Sequence, residues 1–259
     1  MYKLTVGLPL FRARHVAWLA LESLCRQTNI DFEWELVIAE EYRKRHLSLK
    51  EKNILRYRDR LAEVGCRNII YIPIREWIPL FHKWKIIAEQ SDSQGFILQA
   101  ADCYSSPNRL KETSLLFDKG ADWVQSPIHV LYNIIDEKIV LFKHNPSKHP
   151  CGAEMAVRTD LVKQIPFKNI IKGVDYYLFY ECQKIKGKKL EVMCDNTDNW
   201  KYTLNVNGLN NISAGRQKKH FNRNEKSEHD IEKYIPADIL EKLKTLKELT
   251  KGWKFRQFG

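Results

Sequence analysis

Apolar residues along this chain fall into short dense runs that alternate with longer stretches where they recur at every third or fourth position. Residues 5–11 (TVGLPLF), 34–39 (WELVIA), 68–74 (NIIYIPI) and 96–100 (FILQA) are runs of the first kind and predict four strands. Between them, residues 13–27 set Val16, Ala17, Ala20, Leu21 and Leu24 on one helical face, and residues 77–90 do the same with Leu80, Phe81, Trp84, Ile87 and Ala88. The charged segment 47–64, carrying Leu49, Ile54, Leu55 and Leu61, predicts one or two solvated helices stopped by Gly65, and residues 91–95 a polar turn. Strands alternating with helices predict an α/β domain whose central sheet is mostly parallel and flanked by helices. Sites in such a domain form at the carboxyl ends of the strands.

The pattern is less regular further on. Residues 107–119 predict a helix that opens on Pro107 and stops at Gly120. Residues 122–133 and 138–142 predict the strands of a hairpin, and 143–151 a polar loop. A strand (153–157), two helices (159–164 and 174–184) and a last strand (190–194) complete the unit. The Asn-, Lys- and Gly-rich segment 195–228 predicts mobile loops, whereas 236–249 aligns Ile239, Leu240, Leu243, Leu246 and Leu249 on one amphipathic stripe. The organisation read from this is an α/β domain over 1–194 and a basic extension over 195–259, whose helix packs on the same domain.

Composition narrows the class of partner. A chain of 259 residues with 44% hydrophobic and 29% charged positions is neither disordered nor low-complexity. Its net charge of +11 favours anionic partners: nucleotides, nucleic acids, phosphate-rich surfaces. Residues 43–60 hold eight Lys/Arg against two acids, and 216–256 hold twelve against seven, with Tyr57, Trp253, Phe255 and Phe258 near them. These clusters read either as solvated faces or as a track for a nucleic acid backbone. No secretory signal is expected from the opening MYKLTV, and no uninterrupted apolar run is long enough for a membrane span, although peripheral contact with anionic lipid stays open. The six cysteines (Cys25, Cys66, Cys103, Cys151, Cys182, Cys194) include no Cys-x-x-Cys pair. They read as free thiols of a cytoplasmic protein, with no structural zinc expected.

The chemistry centres on the end of the fourth run, Gln99-Ala100-Ala101-Asp102-Cys103. A carboxylate there leaves the sheet at the crevice edge, where a hard divalent cation could bridge it to a diphosphate; otherwise Asp102 caps a turn. Four segments in this order resemble the nucleotide-sugar glycosyltransferases of the glycosyltransferase-A fold, in particular the family-two-like inverting group. They are TVGLPLF with the helix ending Ser23-Leu24-Cys25-Arg26-Gln27-Thr28; WELVIAEE; the stretch from KWKIIAEQ through Asp102 to Pro107-Asn108-Arg109-Leu110; and GAEMAVR with Gly173-Val174-Asp175. Together they span roughly residues 4 to 190.

The resemblance implies a metal-assisted transfer of a sugar from a nucleotide-diphosphate donor, a UDP-sugar foremost, to a hydroxyl acceptor with inversion. It makes Asp175 the general base and Asp102 a ligand of Mn or Mg, with His220 as a late metal or diphosphate contact. Donor-binding positions fall on Pro9, Glu40, Glu41, Lys83, Ala101 and Asp102. The acceptor is a glycan, lipid-linked glycan or protein, with a hydroxylated base in DNA as a further option. Each residue also has a plainer reading: Asp175 as a first-turn helix acid, Lys83 and Lys85 as a solvated pair flanking core Trp84, His220 as an exposed histidine.

The chain departs from the family pattern at two places. Ala100 stands where the family's Asp-x-Asp has its first acid, yet a magnesium-like ion keeps several waters and can be held by one carboxylate and the substrate's phosphates. Glu40 or Glu41 replaces the usual Asp after the second strand. A non-catalytic module that binds nucleic acid or another polyanion is the alternative. A sugar-phosphate nucleotidyltransferase lacks its Gly-rich, Arg-containing loop here, since residues 7–14 read GLPLFRAR.

Overall fold

The structure is a computed structural model that describes residues 1–42, 48–134, 137–143, 145–194, 203–207 and 231–250. Strand β1 (Tyr2–Phe11) lies at the heart of a seven-stranded sheet, between β2 (Trp34–Glu41) and β4 (Ser93–Leu98), and β3 (Cys66–Ile74) forms one edge beyond β2. On the other side of β4 come β9 (Ala156–Arg158), β6 (Trp123–Val124) and β10 (Val192–Met193). Every pairing is parallel except those of β9, which runs against both β4 and β6. All eight residues of β2 are buried, as in a central parallel strand with helices on both faces, and its apolar stretch Leu36–Ala39 is flanked by the buried acids Glu35, Glu40 and Glu41.

Alternation along β1 sends Leu4, Val6, Leu8 and Leu10 to one face, where they meet α1 (Ala17–Leu24), α2 (Glu51–Ile54), α3 (Arg58–Glu63) and α5 (Arg109–Asp118). The opposite face packs Val37, Phe96 and Leu98 against α4 (Leu80–Gln90), α6 (Thr159–Gln164) and α7 (Val174–Lys186). Gly7 is required on that face: a Cβ there would lie 2.4 Å from the Phe96 ring. The glycosyltransferase-A-like α/β architecture expected from the sequence is the one observed, and among the described residues no helix is long and apolar enough to cross a membrane.

A second sheet, ordered β5 (Cys103–Ser105), β11 (Thr203–Asn207), β7 (Ile128–Asn133), β8 (Lys138–Lys143), sits at the carboxyl end of the first. Its own core joins Tyr104, Val130, Tyr132, Leu204 and Val206 to Leu19 of α1 and to Ile239, Leu240 and Leu243 of α8 (Ala237–Thr250). Arg26 adds an ion pair to Asp238 at the start of α8.

Several elements differ from the sequence reading. Segment 122–133 is two strands in two sheets, because Pro127 has no N–H for a ladder and the Ser126 hydroxyl takes up the Ile128 backbone. Residues 93–95, expected in a turn, begin β4, whose ladder with β1 starts at Ser93. β5 was not signalled, and β11 stands inside a segment expected to be loop; the rest of 195–228 lies outside the described residues. The helix expected over 13–27 is regular only over Ala17–Leu24, preceded by turns that close on the Ala13 carbonyl. The strand expected over 153–157 is displaced to Ala156–Arg158 by a turn from Cys151 to Glu154.

The turn from β4 to β5 is set by polar contacts. Arg109, 1% exposed, donates from Nη1 to Gln99 Oε1 (2.8 Å) and Ser105 Oγ (3.0 Å), and from Nη2 to the Leu98 carbonyl (2.9 Å). Ser105 Oγ donates to Gln99 Oε1, and Gln99 Nε2 donates to the Ala100 and Cys103 carbonyls. Just beyond α1, Gln27 donates to the Ser106 carbonyl and accepts from Leu110 N, while the Thr28 N–H donates to Pro107 O. Replacing Arg109 by Leu removes charged donors from buried acceptors, so Arg109→Leu is expected to lower unfolding free energy by about 3 kcal/mol in urea titrations. A loss under about 1 kcal/mol would mean that the turn does not depend on this guanidinium.

Candidate functional site

Because β1, β2 and β4 are parallel, their carboxyl ends open on one side, and the sequence candidates gather there. Pro9 pairs in register with Ala39, and Leu10 and Phe11 with Glu40 and Glu41. Successive residues of a strand point to opposite faces, which separates the two acids. Glu40, fully buried, accepts from Leu49 N (2.6 Å), Lys50 N (3.1 Å) and the Tyr71 hydroxyl (2.7 Å). It therefore ties the chain at 49–50 to the sheet. Lys50 takes a positive φ of 67° there.

Glu41 turns to the α4 face and meets Lys83, whose Nζ lies 3.4 Å from Oε2 and 3.3 Å from the Leu10 carbonyl, over the Phe11 ring. Lys83 and Lys85 are each 4% exposed, which corrects the reading of a solvated pair; Lys85 donates to the Val162 and Lys163 carbonyls. Trp84 belongs to the core, as expected.

Asp102 occupies the turn held by Arg109 and Gln99, half-buried with Ala101. Burial pushes its carboxyl up to about 6, and the hydrogen bonds from its own backbone and from the Cys103 thiol (3.7 Å) oppose this only in part. A cation would relieve that cost, so this donor fits a hard divalent ion of the Mg or Mn type, with oxygen from a donor's phosphates completing the shell. Behind it, the Val206 N–H of β11 donates to the Asp102 carbonyl (2.9 Å). His220 lies outside the described residues, as do parts of both basic clusters.

Asp175 stands in the first turn of α7, after Gly173 at a positive φ of 65°. Its Oδ2 accepts from Gly152 N (3.0 Å). The approach is close enough to require glycine: a Cβ on Gly152 would lie 2.9 Å from Asp175 Oδ1 and 3.0 Å from Trp84 Cη2. Burial raises the carboxyl above its ordinary value, against the Gly152 N–H and the charge of His129.

Beside Asp175 lies a group that the sequence did not single out. His129 of β7 places Nδ1 2.6 Å from Glu154 Oε1 and 3.5 Å from Cys151 Sγ. Burial disfavours the imidazolium, but the Glu154 carboxylate and Cys151 outweigh it and hold His129 well above its usual value. Burial raises the Cys151 thiol, which the His129 charge opposes and the Glu154 and Asp175 charges reinforce. Burial raises the thiol of Cys103, next to Asp102, and the charges of Cys151 and Glu154 add to this while that of Arg109 opposes it. Gln125 fixes the intervening loop, accepting from Cys151 N and donating to the His149 carbonyl. The spacing Cys151-x-x-Glu154 was visible in the sequence; the partner on a distant strand was not.

No protein-family model matches the chain, and no curated protein matches it. Its fold is similar to that of S. aureus TarS. A structure of TarS residues 1–349 in complex with UDP superposes with a TM-score of 0.59 at 14% identity, covering 79% of this chain and 60% of that one. The complex of the same fragment with UDP-GlcNAc gives 0.58 at 15% identity, over 79% and 58%. The whole TarS gives 0.55 at 14% identity, over 79% and 36%. This chain thus spans less than two thirds of the length of the fragment it matches.

The buried carboxyl of Asp102 has a consequence for stability. Well below pH 4 it is neutral in the folded and unfolded chain alike, and it adds no difference between wild type and Asp102→Asn. As pH rises from about 4 to about 6, the unfolded chain ionises while the folded chain keeps the proton, so wild type loses stability across that window and the loss levels off above it. Without added divalent cation, Asp102→Asn is expected to exceed wild type at pH 8 by up to about 3 kcal/mol, the two converging near pH 4 in urea titrations. Equal stability at pH 8 would contradict the burial of this group.

Proposed function

We propose that this protein is a glycosyltransferase that moves a sugar from a nucleotide-diphosphate donor, foremost a UDP-sugar, to a hydroxyl acceptor with inversion. The observation that carries the reading is a pair of half-buried carboxylates, Asp102 in the turn after β4 and Asp175 in the first turn of α7, in a fold similar to that of TarS. The TarS complexes with UDP and UDP-GlcNAc, which share the fold, support the choice of donor.

The two carboxylates suit the two halves of a single displacement. Asp175 takes the proton of the acceptor hydroxyl as its oxygen bonds the anomeric carbon and the bond to the diphosphate breaks. A raised carboxyl at this position is a better matched base near neutral pH than an exposed aspartate. Asp102 would hold the Mg or Mn ion. When bound, the ion stabilises the negative charge of the departing diphosphate. Lys83 and Glu41 brace the ends of β1 and β2 below the donor-binding edge, and Glu40 fixes the segment that borders it. The acceptor class is a glycan, lipid-linked glycan or protein, with DNA bearing a hydroxylated base as a further substrate to include.

Calorimetric titration with a panel of nucleotide sugars, with and without Mn or Mg, tests the reading. One donor is expected to bind in a cation-dependent manner and to be lost in Asp102→Ala. Asp175→Asn is expected to keep that binding and to lower turnover by about 10²- to 10⁴-fold. Unchanged turnover in Asp175→Asn would dismiss it as the base. Binding of no donor, together with salt-dependent retention on nucleic acid, would replace the enzyme by a polyanion-binding module.

A further inference from the structure

We propose that His129, Cys151 and Glu154 form a second metal site, selective for a zinc-class divalent ion and separate from the Mg or Mn position at Asp102. One nitrogen, one sulfur and one carboxylate oxygen, all within 4.8 Å of one another, offer the mixed donor set that a borderline-soft ion prefers over a hard one. Zinc bond lengths of about 2.0–2.3 Å place tetrahedral ligand atoms about 3.2–3.8 Å apart. The 3.5 Å between Cys151 Sγ and His129 Nδ1 already meets this, and the 2.6 Å between Nδ1 and Glu154 Oε1 needs only a small opening of one carboxylate rotamer.

The geometry also argues against a nucleophilic relay. In a thiol–imidazole–carboxylate triad the two partners engage opposite ring nitrogens, so that the proton passes through the ring. Here both partners converge on the same atom, Nδ1. Convergence on one nitrogen is how ligands surround a point, not how a relay is strung. The frame is rigid as well. His129 is fixed in β7 between β11 and β8. Cys151 and Glu154 share a turn closed by Glu154 N to Cys151 O (3.1 Å), and Gln125, itself held by the Trp123 indole N–H, pins the turn's backbone.

Three protein ligands leave a fourth position for water, as in open zinc sites. The ion would staple the 151–154 turn to the second sheet. Gly152, inside that turn, donates its N–H to Asp175, so the staple also steadies the orientation of the acid on α7. Zinc binding itself does not depend on the transferase reading, and it is measured without a sugar.

The test uses the full chain, purified without chelator and analysed for metal content, then titrated with zinc sulfate and with cobalt chloride. About one zinc per chain is expected, and cobalt is expected to give the near-ultraviolet absorption of thiolate-to-metal charge transfer. Cys151→Ser, which keeps the shape of the side chain, is expected to abolish that absorption and weaken zinc at least about tenfold, with far-ultraviolet circular dichroism unchanged. Asp102→Asn is expected to bind zinc as wild type does. Glu154→Gln supplies a second weakened variant should Cys151→Ser misfold. Absence of the charge-transfer band in folded wild type, its persistence in Cys151→Ser, or loss of zinc in Asp102→Asn alone would each overturn the site.

Discussion

The guanidinium of Arg109, buried beneath the turn that follows β4, is the contact on which the carboxyl edge of the sheet depends. It reaches the Leu98 carbonyl at the end of the strand and Ser105 at the far side of the turn, with Gln99 between them. Asp102 lies in the turn that these contacts hold. A second tie comes from the segment after α1, where Gln27 and Thr28 hold the backbone from Ser106 to Leu110. The Ser-Leu-x-x-Gln-Thr and Pro-x-x-Leu segments, distant in the chain, are two halves of one joint. Their reading as family-like signatures thus has a mechanical cause: the polar side chains in them are spent on backbone groups that the turn would otherwise leave buried and unmet.

The large sheet was legible because its physics is local. Central strands carry dense apolar runs and the helices covering them carry a stripe, so β1 to β4 and most of their helices could be placed from the apolar pattern. The second sheet was not legible for the opposite reason. β5 has three residues and β11 has five, too few for a periodic signal, and their pairing is decided by partners far along the chain. Segment 122–133 read as one strand because its apolar residues run on across Ser126 and Pro127, where the chain in fact leaves one sheet for the other.

At the candidate site, the resemblance proposed Asp102 and Asp175, and strand geometry divides the other candidates. Two adjacent acids ending a strand cannot both face one ligand, and Glu40 and Glu41 turn to opposite sides. The lysines of α4 looked solvated because lysine usually is; they are buried because the helix packs flat on β1 and β2 and their amines find carbonyls and a carboxylate within reach. His129 had no sequence signal at all. Its neighbours Cys151 and Glu154 come from a turn more than twenty residues further along the chain, and only the fold brings them together.

The placement of β11 also imposes an order of assembly. Its neighbours in space, β5 and β7, are both synthesised long before it, and Asp102 receives a backbone hydrogen bond from Val206. On the ribosome, the layers around β1, β2 and β4 can therefore form while the small sheet still lacks its middle strand. Until residue 207 has emerged, β7 has a bare edge where β11 later pairs, and the turn that carries Asp102 lacks the hydrogen bond from Val206. A chain cut short before β11 would thus keep most of its helices and strands while losing the strand that joins β5 to β7.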